Sequence, residues 1–415
     1  MKKTIFIVLF LLIASFSGSS QMPRYHNILL RDFRKGKDGV IVNYNIGTTA
    51  HCPGTIASLR KELPEDVDIT VWADSRLDSV IEEMMERRWP EVRIVYGALD
   101  ESASPELKEA VAESDLLLVS SGSGVALSVR RSLKQYKSLT GKPTAAYAIG
   151  SAPAELTGEM DFVWYRDEKS LSKALKAGGQ PSVCGFAPDA VFDFDCVDEQ
   201  GAERFMRDKG LLGERFICCI PGNRATPAWE FFGGEPDRKK MDLNAAHEDA
   251  DNEILRRIIC ENVRERGIKV LICAEQVPEV RLCKEVIFDR LPDDVRTRCA
   301  FLDTLWSPQL ALGVFCRSVA LVAIQMHSPV MALGNGVPSV ILRHSGFGSK
   351  SDMWRSIGLE QWLIDIDDKD ASCRASTAVR DILDNPESAS RKVAAARSVV
   401  DSLRHSAIVA SFFQK

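Results

Sequence analysis

The chain has 415 residues, of which 45% are hydrophobic and 27% are charged, and its formal net charge is −5. This composition is typical of a soluble globular protein, and the length supports two domains with separate cores. The negative charge gives no support to nucleic-acid binding, so no nucleic-acid partner is expected.

The first twenty residues have the order of a secretory signal peptide. Lys2 and Lys3 precede an apolar run at residues 5–13, and small residues follow up to Ser20. The run is shorter than the roughly 20 residues that cross a bilayer. We therefore expect export to the periplasm or beyond after cleavage near Ser20, or a membrane anchor if the segment is uncleaved. No other stretch is long enough to span a membrane.

The 11 cysteines point to core thiols. Cys218, Cys219 and Cys273 lie in apolar, strand-like stretches, where a free cysteine behaves as a small hydrophobic residue. No CxxC pair occurs and the spacings fit no zinc site. We expect mostly buried thiols, with one or two disulfides allowed, and no metal centre.

Strands and helices alternate through the first half of the chain after a polar segment that ends at residue 38. The predicted strands span residues 39–44, 68–73, 92–96, 115–120, 144–150 and 161–167, and the predicted helices span 54–63, 77–88, 105–113 and 168–177. This alternation predicts an α/β fold with a doubly wound parallel sheet and right-handed crossovers.

Two glycine-containing turns in this half each end a strand and begin a helix. Their polar groups are supplied by Asn45, Gly47 and Thr48 in the first turn and by Ser121, Gly122 and Ser123 in the second. Amides and hydroxyls at such corners can hold a phosphate or a sugar. A tight turn and a flexible connector are the structural alternatives.

Proline and acidic residues cluster at residues 187–199 and predict the domain boundary. The predicted domains are 21–198 and 199–395, with a final helix at 396–415 that crosses back to the first domain. The second domain repeats the alternation, with strands at 215–224, 268–274, 319–323 and 338–342, a short strand near Phe301, and helices at 199–209, 252–267, 277–290, 308–316, 329–333, 352–357, 370–384 and 387–412. Residues 226–251, rich in aromatic and charged side chains, are expected to form a long loop that could cover a sugar.

The region 318–359 resembles the signature of the polysaccharide pyruvyl transferase family. From Met326 it reads M-H-x-x-x-x-A-x-x-x-G-V-P-S-V, and it continues with Lys350 and W-R-x-I-G-L. The resemblance implies two Rossmann-like domains of the GT-B type that face a central cleft. It also implies transfer of a pyruvyl group from phosphoenolpyruvate, a small anionic co-substrate, to a carbohydrate acceptor, with no other cofactor.

The resemblance also implies roles for single residues. His327 would be the general acid or a phosphate ligand, at a helix start whose amides favour an anion. Arg224, Gln325 and Lys350 would lie on the donor side, although the family has arginine where this chain has Gln325. The acceptor would lie against Asn45, Gly47, Thr48, Ser121, Gly122 and Ser123, although the family has an acid where this chain has Thr48.

A further family segment, R-D-x-x-S, is matched by Arg166, Asp167 and Ser170, and Asp189 matches the family's P-D pair near the hinge. We expect Asp167 or Ser170 to cap a helix, because a short acceptor there satisfies free amides.

Two other functions remain open on the sequence. A GT-B glycosyltransferase that uses a nucleotide sugar needs an acid for the ribose, and Asp352 is a candidate for it. A non-catalytic, exported glycan-binding protein on the same fold is favoured by the two departures at Gln325 and Thr48.

Overall fold

Two parallel β-sheets carry the fold, in a computed structural model that describes residues 22–34, 36–152, 158–178, 184–348 and 350–413. The strands are β1 Asn27–Arg31, β2 Val40–Ile41, β3 Asp68–Ala73, β4 Arg76–Leu77, β5 Arg93–Tyr96, β6 Leu116–Val119, β7 Thr144–Ile149, β8 Phe162–Tyr165, β9 Cys184–Phe186, β10 Phe216–Ile220, β11 Lys269–Ile272, β12 Cys299–Phe301, β13 Ala320–Ala323, β14 Ser339–Arg343 and β15 Leu363–Asp365. The first sheet has the order β5-β3-β1-β6-β7-β8-β9 and the second β12-β11-β10-β13-β14-β15, while β2 and β4 form a separate pair.

Helices connect these strands and cover the sheets. They span Ile46–Arg60, Ser79–Arg88, Pro105–Glu113, Leu127–Thr140, Glu168–Lys176, Glu199–Asp208, Trp229–Phe232, Arg238–Arg266, Val277–Arg281, Asp293–Arg296, Pro308–Phe315, His327–Gly334, Met353–Ser356, Ala371–Asp384 and Pro386–Phe412. The predicted α/β class, two doubly wound parallel sheets, is confirmed. The predicted boundary at residue 198 lies between the last strand of the first sheet and the first strand of the second.

Local sequence explains most of these elements. The strands β6, β7, β10 and β13 are buried along their whole length, as continuous apolar runs in a sheet covered on both faces require. Several helices begin at a residue whose side chain accepts a backbone N–H: Asn45, Asp78, Ser104, Asp167 and Ser307. The predicted helix cap at Asp167 is therefore confirmed.

The first strand of the first sheet is not where the sequence predicted it. Residues 39–44 contain only the two-residue β2, whereas the central strand is β1, which pairs with both β3 and β6. The sequence indicated a polar segment up to residue 38, because charged residues follow the short apolar run of β1. Arg31 is nevertheless buried, since it bonds Asp74 and stacks on Trp72 at 4.7 Å.

The predicted long loop at 226–251 is wrong as well. Most of it belongs to the helices Trp229–Phe232 and Arg238–Arg266, the second of which has 29 residues. The buried residues of the long helix begin at Asp251, so its first half has no apolar stripe that would reveal a helix in the sequence.

All eleven cysteines are free thiols, and seven of them are buried. The prediction of core thiols is confirmed for those seven. The allowance for one or two disulfides is wrong.

The last helix, Pro386–Phe412, crosses back to the first domain as predicted. Arg404 bonds Glu62 at 3.0 Å and Asp193 at 2.9 Å, and Trp164 Nε1 donates to Ser411 Oγ at 2.6 Å. Within the described residues, no helix combines the length and the apolar character needed to cross a membrane. The predicted signal peptide, residues 1–20, lies outside them.

Candidate functional site

The carboxyl ends of the two sheets meet at a seam between the domains. Backbone bonds join the segment before the helix Ile46–Arg60 to the segment after β11: Ile46 N donates to Glu275 O at 2.9 Å, and Val277 N donates to Tyr44 O at 3.1 Å. Asn43 Nδ2 adds a bond to Trp306 O at 2.8 Å. Ligands of open α/β sheets bind at this edge, so the seam is where a site is expected.

Gly47 allows a close approach of the two domains. A Cβ atom built on Gly47 would lie 2.1 Å from His327 Cβ, a distance that non-bonded carbon atoms do not adopt. The neighbouring polar residues also serve the seam: Asn45 accepts from Thr48 N at 2.8 Å and donates to Gln276 Oε1 at 3.4 Å. The predicted acceptor turn is therefore packed against the second domain.

Four side chains form a cluster at the seam: His51, Arg166 and Asp189 are buried, and His327 is partly buried. Arg166 Nη1 lies 2.5 Å from Asp189 Oδ2, 3.3 Å from His51 Nε2 and 3.5 Å from His327 Nε2. The two histidine rings meet edge to face at 4.9 Å between centroids. Three of the four residues come from the first domain, and His327 from the second.

The charges of this cluster are set by burial and by Arg166. Burial lowers the pKa of His51 to about 4, against the attraction of Asp189, so His51 is neutral near neutral pH. Burial alone would raise the pKa of Asp189, but His51 and the Arg166 guanidinium outweigh it and hold that pKa well below its usual value. Asp189 is therefore an anion that is paired with Arg166.

The same cluster has the donor atoms of a metal site. His51, Asp189 and His327 offer ligand atoms within 4.8 Å of one another, and two histidines with one carboxylate suit a transition metal. Arg166 Nη1 lies within 3.5 Å of a donor atom of each. A guanidinium thus stands where a metal cation would stand, and it already supplies the positive charge.

The second domain brings carboxyl groups to His327. Glu275 Oε1 lies 3.1 Å from His327 Nδ1, and Glu275 Oε2 accepts from Ser328 N at 2.7 Å. The start of the helix His327–Gly334, where the sequence predicted a bound anion, therefore already holds a carboxylate of the protein. Sequence reasoning missed Glu275, although its position directly after β11 was a usable signal.

Gln325 is part of the same group. Its Nε2 donates to Glu279 Oε1 at 2.5 Å. Burial and the neighbouring Glu275 raise the pKa of Glu279 well above its usual value, which favours a neutral carboxyl group. Gln325 and Glu279 therefore supply no positive charge at the position where the family has arginine.

Arg224 does not join His327. Its guanidinium makes two bonds of 2.7 Å to Asp251 and one of 2.6 Å to Asp367, and no hydrogen bond or ion pair connects it to His327. The side chain of Lys350 lies outside the described part of the chain. The structure therefore brings Arg166 to His327 and does not bring Arg224 there.

The second predicted acceptor turn lies beneath the cluster. Ser121 is buried, donates to Ala148 O at 2.9 Å and lies 3.1 Å from His51 Nδ1. A Cβ atom at Gly122 would lie 2.6 Å from the Phe33 ring, so this glycine also serves packing. Ser123 is exposed, and it alone of the three could contact a ligand without a rearrangement.

Residues 45–346, which include both sides of the seam, match the family model described as polysaccharide pyruvyl transferase. The chain belongs to this family. No curated protein matches the sequence. In this pyruvyl transferase family member, the match begins at Asn45 and ends in the loop after β14.

Solved structures show the fold of this pyruvyl transferase family member at low sequence identity. Anabaena Alr3699/HepE in complex with UDP and glucose has a TM-score of 0.54 and 12% identity, over 92% of this chain and 98% of that one. UDP-GlcNAc 2-epimerase from Neisseria meningitidis bound to UDP-GlcNAc has a TM-score of 0.53 and 9% identity, over 92% and 99%. The E. coli ADP-heptose LPS heptosyltransferase II has a TM-score of 0.50 and 13% identity, over 87% and 99%. The fold is of the GT-B type.

Proposed function

We propose that this protein transfers the pyruvyl group of phosphoenolpyruvate to a sugar of an exported or cell-surface polysaccharide. The observation that carries the proposal is His327, held on one side by Glu275 and facing Arg166 across the seam. In the overall reaction, C2 of phosphoenolpyruvate forms bonds to two sugar oxygens, and its bond to the phosphate oxygen breaks. Of the two hydroxyl protons of the sugar, one converts the methylene group to a methyl group and the other leaves with phosphate. The product is a cyclic pyruvyl ketal.

His327 is the proposed general acid. Glu275 accepts at Nδ1 and so fixes the ring, which leaves Nε2 directed to the first domain. In the imidazolium form the ring can donate its Nε2 proton to the methylene carbon or to the departing phosphate. Glu275 acts through His327 and is a positioning residue.

Arg166 is the proposed ligand of the donor's carboxylate or phosphate. Among the residues that the structure describes, its Nε and Nη2 have no hydrogen-bond partner, although Arg166 is only 1% exposed. Buried, unpaired guanidinium groups are costly, and an anion with two oxygens would satisfy both. Because Arg166 is buried, the seam must open for a donor to enter. The acceptor is then proposed to lie against the turns at Asn45, Gly47 and Thr48 and at Ser121, Gly122 and Ser123.

The test is an assay of ketal formation. The protein is incubated with phosphoenolpyruvate and a panel of β-galactosyl and mannosyl acceptors, and both ketal product and released phosphate are measured. We expect His327→Asn to lower kcat by about 10²–10⁴-fold, as expected for a lost general acid. His405→Asn, an exposed histidine on the last helix, is the matched control and is expected to keep full activity. Unchanged activity in His327→Asn contradicts the proposal.

A non-catalytic, glycan-binding function is the second candidate. It is favoured by the carboxylate of Glu275 at the helix start and by the uncharged Gln325–Glu279 pair, since both disfavour a multiply charged donor. Glycan binding that is unchanged in His327→Ala, together with no phosphate release by the unmodified protein, would select it. A nucleotide-sugar donor is less favoured, because Asp352 already bonds Arg343 at 2.9 Å and Arg355 at 3.0 Å.

A further inference from the structure

Two helices of the first domain concentrate positive charge in a chain whose net charge is −5. The helix Leu127–Thr140 has no acidic residue, and the helix Glu168–Lys176 has one. Their basic residues are Arg130, Arg131, Lys134, Lys137, Lys169, Lys173 and Lys176.

Topology places the two helices on the same side of the sheet. The first connects β6 to β7 and the second connects β8 to β9, and both steps run between neighbouring parallel strands in the same direction. Right-handed crossovers in one direction put their helices on one face. We call this surface, with the seven basic residues and the exposed leucines described below, the basic face.

The basic face is not neutralised by the protein itself. Among the described residues, Lys169 bonds Asp352 at 3.2 Å, and none of the other six basic side chains forms an ion pair. Elsewhere many basic residues are paired, as Arg256 is with Asp249 and Glu253. The cations of the basic face therefore keep their charge for an external partner.

Exposed leucines lie among these cations. Leu127 is 72% exposed, Leu139 is 68% exposed and Leu175 is 41% exposed. Exposed leucines on helices that are rich in lysine and arginine are the composition of helices that lie at the surface of anionic membranes. A purely polar polyanion would contact the lysines and arginines but would leave the leucines in water.

We propose that the basic face docks on the surface of a bilayer that contains anionic lipids. The cations would lie at the headgroups and the three leucines would enter the interfacial layer, as on peripheral membrane proteins. Both helices begin at the seam, since one follows the turn at Ser121–Ser123 and the other follows Arg166 directly. Docking would therefore hold the candidate site beside the membrane. This inference is independent of the proposed transferase activity.

Flotation of the full chain with lipid vesicles tests the proposal. We compare vesicles of phosphatidylcholine alone with vesicles in which one third of the lipid is phosphatidylglycerol. Arg131→Gln, Lys134→Gln and Lys173→Gln are combined in one variant, which should lower binding to the anionic vesicles about 100-fold, because each cation near such a surface contributes about fivefold. Residues 1–20 are the same in every variant, so differences between variants report the basic face.

The matched control combines Arg204→Gln, Lys369→Gln and Arg397→Gln, three exposed basic residues outside the basic face that form no ion pair within the described chain. It removes the same charge and should bind anionic vesicles within about threefold of the unmodified chain, since charges far beyond the Debye length of about 8 Å are screened. Equal losses in the two triple variants would overturn the proposal.

A second variant separates a bilayer from a soluble polyanion. Leu127→Ser with Leu139→Ser should weaken binding to anionic vesicles by at least about tenfold and leave binding to dextran sulfate unchanged. Leu212→Ser with Leu243→Ser, two exposed leucines elsewhere, is its control. If the Leu127/Leu139 variant binds vesicles as the unmodified chain does, the basic face is a polyanion site and the bilayer proposal is wrong.

Discussion

The two domains bring opposite chemistry to the seam. The first domain contributes the cation Arg166 with its partner Asp189 and the neutral His51. The second contributes His327 with the carboxyl group of Glu275, and Gln325 with the carboxyl group of Glu279. The family resemblance had placed the donor's cations on the second domain. Under the proposed function, the first domain would hold the anionic donor and the second would protonate it, so neither half would be sufficient alone.

Removal of the cation from the first half should have the largest effect. Arg166→Met would leave the buried Asp189 anion without its partner, and loss of one member of a buried pair typically costs about 3–5 kcal/mol. Urea unfolding measures this as a lower free energy of unfolding. Arg204→Met, at an exposed residue with no ion pair in the described chain, should change it by less than about 0.5 kcal/mol. If Arg166→Met lowered the free energy of unfolding as little as the control does, Arg166 and Asp189 would not form a stabilising ion pair.

The next largest effect should be the dependence of the free energy of unfolding on pH. The pKa of buried His51 is lowered to about 4, so the unfolded chain takes up a proton between about pH 6.5 and 4 that the folded chain does not. The free energy of unfolding should therefore decrease as the pH is lowered from about 6.5 to about 4, by up to about 1.4 kcal/mol per pH unit from this residue. Urea unfolding at several pH values checks it.

His51→Gln should lose that part of the pH slope, whereas His405→Gln should keep it. If the free energy of unfolding had the same pH slope in His51→Gln as in the unmodified protein, His51 would be protonated or hydrated in the folded state.

The contact between the two halves should give a smaller effect. Gly47→Ala would place a methyl group 2.1 Å from His327 Cβ, and overpacking of this kind costs about 1–3 kcal/mol. We expect a lower melting temperature and a lower kcat, because His327 must move. Thr48→Ala, the next residue, should change the melting temperature much less, because it adds no atom at the contact. If Gly47→Ala kept full stability, the domains would have to be apart in solution.

The smallest effect should come from restoring charge to the second half. Gln325→Arg would place a guanidinium beside Glu279, favour its ionised form and offer donors to an anion. We expect the KM for phosphoenolpyruvate to fall about tenfold, or about 1.4 kcal/mol. Gln135→Arg adds the same charge at an exposed position and should leave KM unchanged. An unchanged KM in Gln325→Arg would show that the donor does not reach this residue.

Much of the fold could be predicted, because continuous apolar runs and capping residues are local signals. Strands such as β6, β10 and β13 follow from sequence alone. The central strand β1 could not, since its short run ends in Arg31, whose charge is compensated by Asp74, the residue directly after β3. Only the second half of the helix Arg238–Arg266 was predicted, because the first half has no buried residues that would impose an apolar period.

The candidate site was predictable only in part. His327 stood out because a family motif and a strand end coincide there. His51 lies in a helix without polar periodicity, and the partners of Arg166 come from distant segments, so only the folded chain reveals the cluster. Glu275 was overlooked because a single acid after a strand resembles an ordinary helix cap.

The last helix has a consequence for how the first domain folds. Arg24 N donates to Phe412 O at 2.6 Å, and the Tyr25 and Phe162 rings pack on Phe412. The segment that leads into β1 is therefore anchored by a residue almost four hundred positions later in the sequence. Loss of the Phe412 ring would uncover aromatic side chains of a domain to which the helix does not belong in sequence.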